Sequence, residues 1–122
     1  MTEFITILGN LPRKSNSRRI VANRRTGKPM VIKSADALAY ERSFMAQIPA
    51  RLKTGMEGPL ALSAVIYYRN PLSDLSDELL CDLIEKSGMI KNDRQFVYKV
   101  LTKKIDRLNP RVEFGISRVI DK

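Results

Sequence analysis

Six of the thirteen acidic residues lie between positions 74 and 93: Asp74, Asp77, Glu78, Asp82, Glu85 and Asp93. The chain has no histidine and a single cysteine, Cys81. Without histidine there is no Ser-His-Asp or Cys-His catalysis and no imidazole base. One cysteine supports neither an internal disulfide nor a cysteine-based zinc site, and Cys81 is expected to be a small, half-buried side chain on a helix. A metal centre in this chain must be built from oxygen ligands, a preference that points to magnesium, with manganese as a substitute. A divalent cation neutralises carboxylates that otherwise repel one another and take up protons. Bound metal also activates water and stabilises charge on a scissile phosphate.

The ordinary alternative for such a cluster is a solvated acidic face. Two features weigh against it. No lysine or arginine interleaves with these acids until Lys86, and the surrounding chain is strongly basic, with 22 Lys and Arg against 13 Asp and Glu for a net charge of +9. Residues 1–33 carry Arg13, Lys14, Arg18, Arg19, Arg24, Arg25, Lys28 and Lys33 against Glu3 alone. A second basic group, which includes Lys103 and Lys104, follows Asp93. This balance implies a polyanionic partner, because each cation placed on a phosphate releases condensed counterions. A pure phosphate binder gains nothing from carboxylates near its ligand.

The elements that must position these groups follow from periodicity and punctuation. Thr2 to Leu8 reads as a first strand, and Gly9 to Lys28 as a long basic loop, a type usually functional in a compact domain. Pro29 to Lys33 reads as a short strand. Ser34 caps a helix running to about Ile48, with Ala37, Tyr40, Phe44 and Ile48 on its core face and Pro49 ending it. Leu60 to Tyr68 reads as a central strand ended by Asn70-Pro71. Ser73 to Ser87 reads as a second helix closed by Gly88. On that helix Asp74, Glu78 and Asp82 are successive i,i+4 neighbours, so their carboxylates stack along one face, with Asp77 at its edge and Leu75, Leu79, Leu80, Leu83 and Ile84 opposite. Asp93 follows after a short turn and lies near either half of the helix. Phe96 to Ile105 and Arg111 to Val119 read as two strands joined as a hairpin through DRLNP. The expectation is one small α+β domain over residues 1–122, β-β-α-β-α-β-β, with two helices packed on a mixed or antiparallel sheet. No segment reads as a membrane span or signal peptide, so a cytoplasmic protein is expected. A nucleotide cofactor is not expected, since Thr26-Gly27-Lys28-Pro29 lacks the glycine and hydroxyl pattern of a phosphate loop.

The run Asp74-Leu75-Ser76-Asp77, Asp82-Leu83, then Gly88-Met89-Ile90-Lys91-Asn92-Asp93-Arg94-Gln95 resembles the signature of RusA-type Holliday junction resolvases. That signature has an Asp-x-Asp pair opening a helix, Asp-x-Leu on the helix, a closing glycine, and Asp-Asp-x-Gln entering a strand. Pro12-Arg13-Lys14-Ser15-Asn16-Ser17-Arg18 is similar to the family's opening loop, and Ser34 to Tyr40 to its first helix. The chain departs from the pattern in its Asp-x-Asp pair and at the family's helix lysine, where Glu78 stands, while Asn92-Asp93 replaces Asp-Asp. The resemblance implies a metal-dependent endodeoxyribonuclease of DNA recombination and repair. It would act as a homodimer that nicks four-way DNA junctions in pairs, as a phage or prophage gene product would. It makes Asp74, Asp77 and Asp93 the catalytic carboxylates, and Asp74, Asp77, Asp82 and Asp93 the magnesium ligands. Arg13, Lys14, Arg18, Arg19, Arg24, Arg25, Lys28, Lys103 and Lys104 would hold phosphates, positioning DNA without reading sequence. The competing reading is a non-catalytic nucleic-acid-binding module related to the nucleases. Single-strand binding by stacking is disfavoured, because Tyr67, Tyr68, Phe96 and Tyr98 lie in runs that read as core strands.

Overall fold

The computed structural model describes residues 2–12 and 18–120, without the side chains of 18–20 and 30–33. The elements run β1 (Phe4–Leu8), β2 (Arg18–Ala22), β3 (Pro29–Lys33), α1 (Ala35–Gln47), β4 (Leu60–Tyr68), α2 (Glu78–Ser87), β5 (Phe96–Ile105) and β6 (Arg111–Arg118). Short 3-10 turns lie at Ala50–Leu52 and Asp93–Gln95. Two helices pack on a mixed four-stranded sheet of order β1-β6-β4-β5, in which only β4 and β5 are parallel. This is the expected α+β class.

The sheet has one covered face. Along β4, Leu60, Leu62, Ala64, Ile66 and Tyr68 are buried, while the residues between them are only half-buried. The period of two places the first set against the helices. Helix α1 contributes Ala37, Tyr40 and Phe44, with Ile48 at its C-cap, and α2 contributes Leu79, Leu80, Leu83 and Ile84. Phe44 stacks on Phe114 of β6 with ring centroids 6.1 Å apart. The Ser34 hydroxyl accepts the Ala37 N–H at 3.2 Å, which fixes the start of α1 at the expected cap. Gly88 ends α2 in the left-handed region at φ 87°, which a side chain would strain.

Three expectations need correction. The stretch from Gly9 to Lys28 is not all loop, because Arg18–Ala22 pairs antiparallel with Pro29–Lys33 as a separate two-stranded sheet. Its turn is tight: the Asn23 N–H donates to the Lys28 carbonyl, the Gly27 N–H returns to Asn23, and Gly27 takes φ 69°. The strands β5 and β6 are not a hairpin pair, since β4 lies between them and hydrogen-bonds to both.

The third correction concerns α2, which begins at Glu78 rather than Ser73, with Asp77 at its cap position. The Tyr68 hydroxyl donates to the Asp74 carbonyl at 3.1 Å and accepts the Ser76 N–H at 3.3 Å. Those backbone groups are thereby held in a loop conformation. Asp74 therefore does not share a helix face with Glu78 and Asp82, and Leu75 is exposed instead of packing in the core.

Candidate acidic site at the start of α2

Asp77 at the cap of α2, and Cys81 and Glu85 within it, stand at successive four-residue steps, so the three lie along one stripe. The Cys81 thiol donates to Asp77 Oδ2 at 3.3 Å. Lys99, from β5, places its ammonium 2.8 Å from the same oxygen. One to two turns further along, Glu85 Oε1 accepts the backbone N–H of Asp93 at 2.8 Å, tying the 3-10 turn to the helix. Asn92 caps that turn: its side chain accepts from Arg94 N–H, and Gln95 reaches back to the Asn92 N–H. The Gln95 amide also donates to the Met56 and Gly58 carbonyls, both at 2.9 Å, anchoring the turn to the segment before β4.

The charges respond to one another. Burial opposes ionisation of Asp77, but the hydrogen bonds from Lys99 and Cys81 outweigh it and hold the carboxyl below its usual range. Lys99 is pushed up, chiefly by its hydrogen bond to Asp77 and more weakly by the charges of Asp77 and Asp93. Burial, followed by the charge of Asp77 and a smaller contribution from Asp93, pushes the Cys81 thiol up to about 12. Cys81 is fully buried and protonated at neutral pH, so it offers neither a nucleophile nor a thiolate ligand.

The expected site residues thus separate into two groups. Asp77 and Asp93 both act electrostatically on Lys99 and Cys81. Asp74 is exposed in the loop before α2, where its carbonyl is held by Tyr68. Asp82 lies one residue beyond Cys81, about 100° around the helix. Among the described residues, no three Asp, Glu, Cys or His side chains gather closely enough to hold one metal ion. The donors are still oxygen only, and magnesium takes one or two protein carboxylates and completes its shell with water and phosphate. Asp77 supplies one such carboxylate, with its Oδ2 already paired with Lys99.

Lys99 and Glu85 are the contributors that sequence reasoning missed. Glu85 belongs to the acidic run, but its bond to Asp93 depends on the turn at Gly88. Lys99 is one of many lysines, and only the parallel register of β5 against β4, pairing Lys99 with Leu62, puts it on the helix-covered face.

The basic residues are also distributed by the fold. Arg24, Arg25 and Lys28 are exposed at the tip of the β2–β3 hairpin. Arg18 and Arg19 lie in β2, and Arg13 and Lys14 fall outside the described residues. Lys103 donates to the Pro71 carbonyl at 3.1 Å, and Lys104 lies 5.8 Å from the centre of the Tyr67 ring. Tyr98 is no core residue; it is 63% exposed on β5. Among the described residues no helix is long and apolar enough to cross a membrane. No family model matches the chain, and no curated protein matches it.

Proposed function

We propose that the protein is a magnesium-dependent, structure-selective endodeoxyribonuclease of the RusA type, which resolves four-way DNA junctions by paired nicks. The observation that carries this reading is the 2.8 Å pairing of Asp77 with Lys99, with the Asp93 charge also felt at Lys99, within a chain of net charge +9. A cation at Asp77 and Asp93 would supply an activated water and stabilise charge on the scissile phosphate. Lys99 keeps Asp77 ionised and orients its carboxylate. Glu85 fixes the backbone at Asp93. Lys99 would take the part of the family's helix lysine, reaching Asp77 from a strand instead of from α2. Arg24, Arg25 and Lys28 at the hairpin tip would hold phosphates away from the reacting one.

A homodimer belongs to the same proposal, since two identical sites related by a two-fold axis suit a branched substrate of near two-fold symmetry. Exposed Val97, Tyr98, Val100 and Ile105 on the edge strand β5 support association with a second copy.

The test is cleavage of a labelled four-way junction and a matched linear duplex in magnesium, manganese or EDTA. Metal-dependent paired nicks confined to the junction are expected, at least about 100-fold slower in Asp93→Asn and in Lys99→Met, while junction binding persists. Tight junction binding without cleavage in either metal would favour the non-catalytic DNA-binding module. A protein that neither binds nor cuts the junction would refute both.

A further inference from the structure

Residues 18–33 carry six cations, Arg18, Arg19, Arg24, Arg25, Lys28 and Lys33, and no acid. They form the β2–β3 hairpin, a two-stranded ribbon that shares no ladder with the four-stranded sheet. A two-stranded ribbon is marginally stable by itself in water, so a partner that covers it also steadies it. The tip is built rather than slack. Besides the backbone bonds between Asn23 and Lys28 and between Gly27 and Asn23, the Arg25 N–H donates to the Asn23 side chain at 2.8 Å and the Lys28 N–H to the Thr26 hydroxyl at 3.2 Å. Across residues 22–29 every residue except Asn23 is exposed.

The cations fall into two groups. Arg18 is the register partner of Lys33 at the base of the ribbon, with Arg19 beside it, while Arg24, Arg25 and Lys28 belong to the tip. Residues 20–22 and 29–32, between the two groups, are uncharged. At about 3.4 Å per residue, the paired stretch from Arg18 to Ala22 is roughly 14 Å long. The major groove of B-form DNA is about 12 Å wide and admits a two-stranded ribbon, whereas the minor groove is about half as wide.

We infer that the β2–β3 ribbon docks in the major groove of a duplex DNA arm, with its base cations on one phosphate wall and its tip cations on the other. Charge complementarity selects a polyanion, since the ribbon holds cations alone. The separation of the two groups selects the wide groove. Double-stranded RNA is a poor fit, because its major groove is deep and narrow. An anionic membrane is a poor fit as well, because residues 23–28 at the tip offer no apolar side chain to bury in lipid. The inference rests on the DNA-binding half of the resolvase reading and not on cleavage, and it goes beyond phosphate contact by naming the groove.

The experiment uses the intact chain and a linear duplex of mixed sequence in EDTA, with binding read by fluorescence anisotropy. The duplex is compared unmodified, with glucosylated 5-hydroxymethylcytosine to fill its major groove, and with netropsin to fill its minor groove. Glucosylation should weaken binding at least about ten-fold, and netropsin less than about two-fold. Equal effects of the two blocks, a larger effect of netropsin, or no effect of either would overturn the inference. Arg24→Glu combined with Arg25→Glu should weaken binding to the unmodified duplex at least about ten-fold, against less than about three-fold for the same charge change at the exposed Arg42 and Lys53. Equal losses would show that net charge binds the duplex without the ribbon, and would also overturn it. Equally ribbon-dependent sedimentation with phosphatidylserine vesicles would assign the hairpin to a membrane instead. The comparison of blocked duplexes needs no variant, so a hairpin variant that folds poorly does not blunt the test. Junction cleavage in magnesium, run alongside, separates the two readings. Cleavage without groove discrimination sinks the ribbon inference alone, and groove discrimination without cleavage sinks the nuclease reading alone.

Discussion

At the residue scale, the pair formed by Asp77 and Lys99 is the feature most open to measurement. Asp77 has a lowered pKa, so the stability it contributes is present above its ordinary value of 3.8 and is lost as pH falls through the lowered one. Lys99 has a raised pKa, so its contribution is present below 10.5 and is lost as pH rises through the raised value. The pair is therefore intact across neutral pH and fails only at the two extremes. Lys99→Met should move the Asp77 carboxyl upward, because burial then acts without its main opponent; carbon-detected NMR titration would show this, and an unmoved Asp77 would contradict the ion pair. Cys81 gives a second prediction. As a buried, protonated thiol it should resist iodoacetamide at pH 8 in the folded protein and react on unfolding, as read by mass spectrometry. Rapid alkylation of the native chain would mean that α2 is not packed as described.

At the scale of the elements, the most consequential contact is the Tyr68 hydroxyl, which stops α2 at Glu78. Tyr68→Phe removes both of its bonds to the Asp74 loop and should cost about 1 kcal/mol in urea unfolding. It should also speed hydrogen exchange at the Ser76 amide, whereas unchanged exchange would show that the loop is held by something else. The same contact explains what the sequence could and could not disclose. Ser34, Pro49 and the alternation in LALSAVIYY are local signals, and α1 and β4 follow them closely. The run Ser73 to Asp77 has a helical pattern too, yet a hydroxyl from the preceding strand overrules it. Arg18–Ala22 was hidden among charges and asparagines, and its pairing depends on the Gly27 turn. The break between β5 and β6 is long-range: a short connection tells where two strands meet in sequence, not which strand lies between them. The acidic helix was legible as a candidate site, while the contribution of Lys99 required the β4–β5 register.

For the whole molecule, the proposed DNA binding would follow from charge placement. Arg24, Arg25 and Lys28 are exposed at the tip of a hairpin that forms a sheet of its own, apart from the sheet that α2 covers, and in the proposed function they would attract the polyanion. Replacing all three by alanine should lower the slope of log affinity against log salt by about 2.7 units, at roughly 0.9 per phosphate contact. An unchanged slope in fluorescence anisotropy would show that the hairpin tip does not touch DNA.

The position of β6 between β1 and β4 has its own consequence. Among the described elements, β1 precedes all the others in the chain, yet its neighbour in the sheet is β6, which follows them all. Helix α1, β4, α2 and β5 can assemble on the ribosome as a growing unit, while Ile5 and Ile7 wait without a strand to pair with. Insertion of β6 then closes the sheet in a single late event that joins two strands with every other described element between them in sequence. Folding should therefore be slow for so small a domain, with its final rate set by the entropy of bringing β1 and β6 together across the intervening chain.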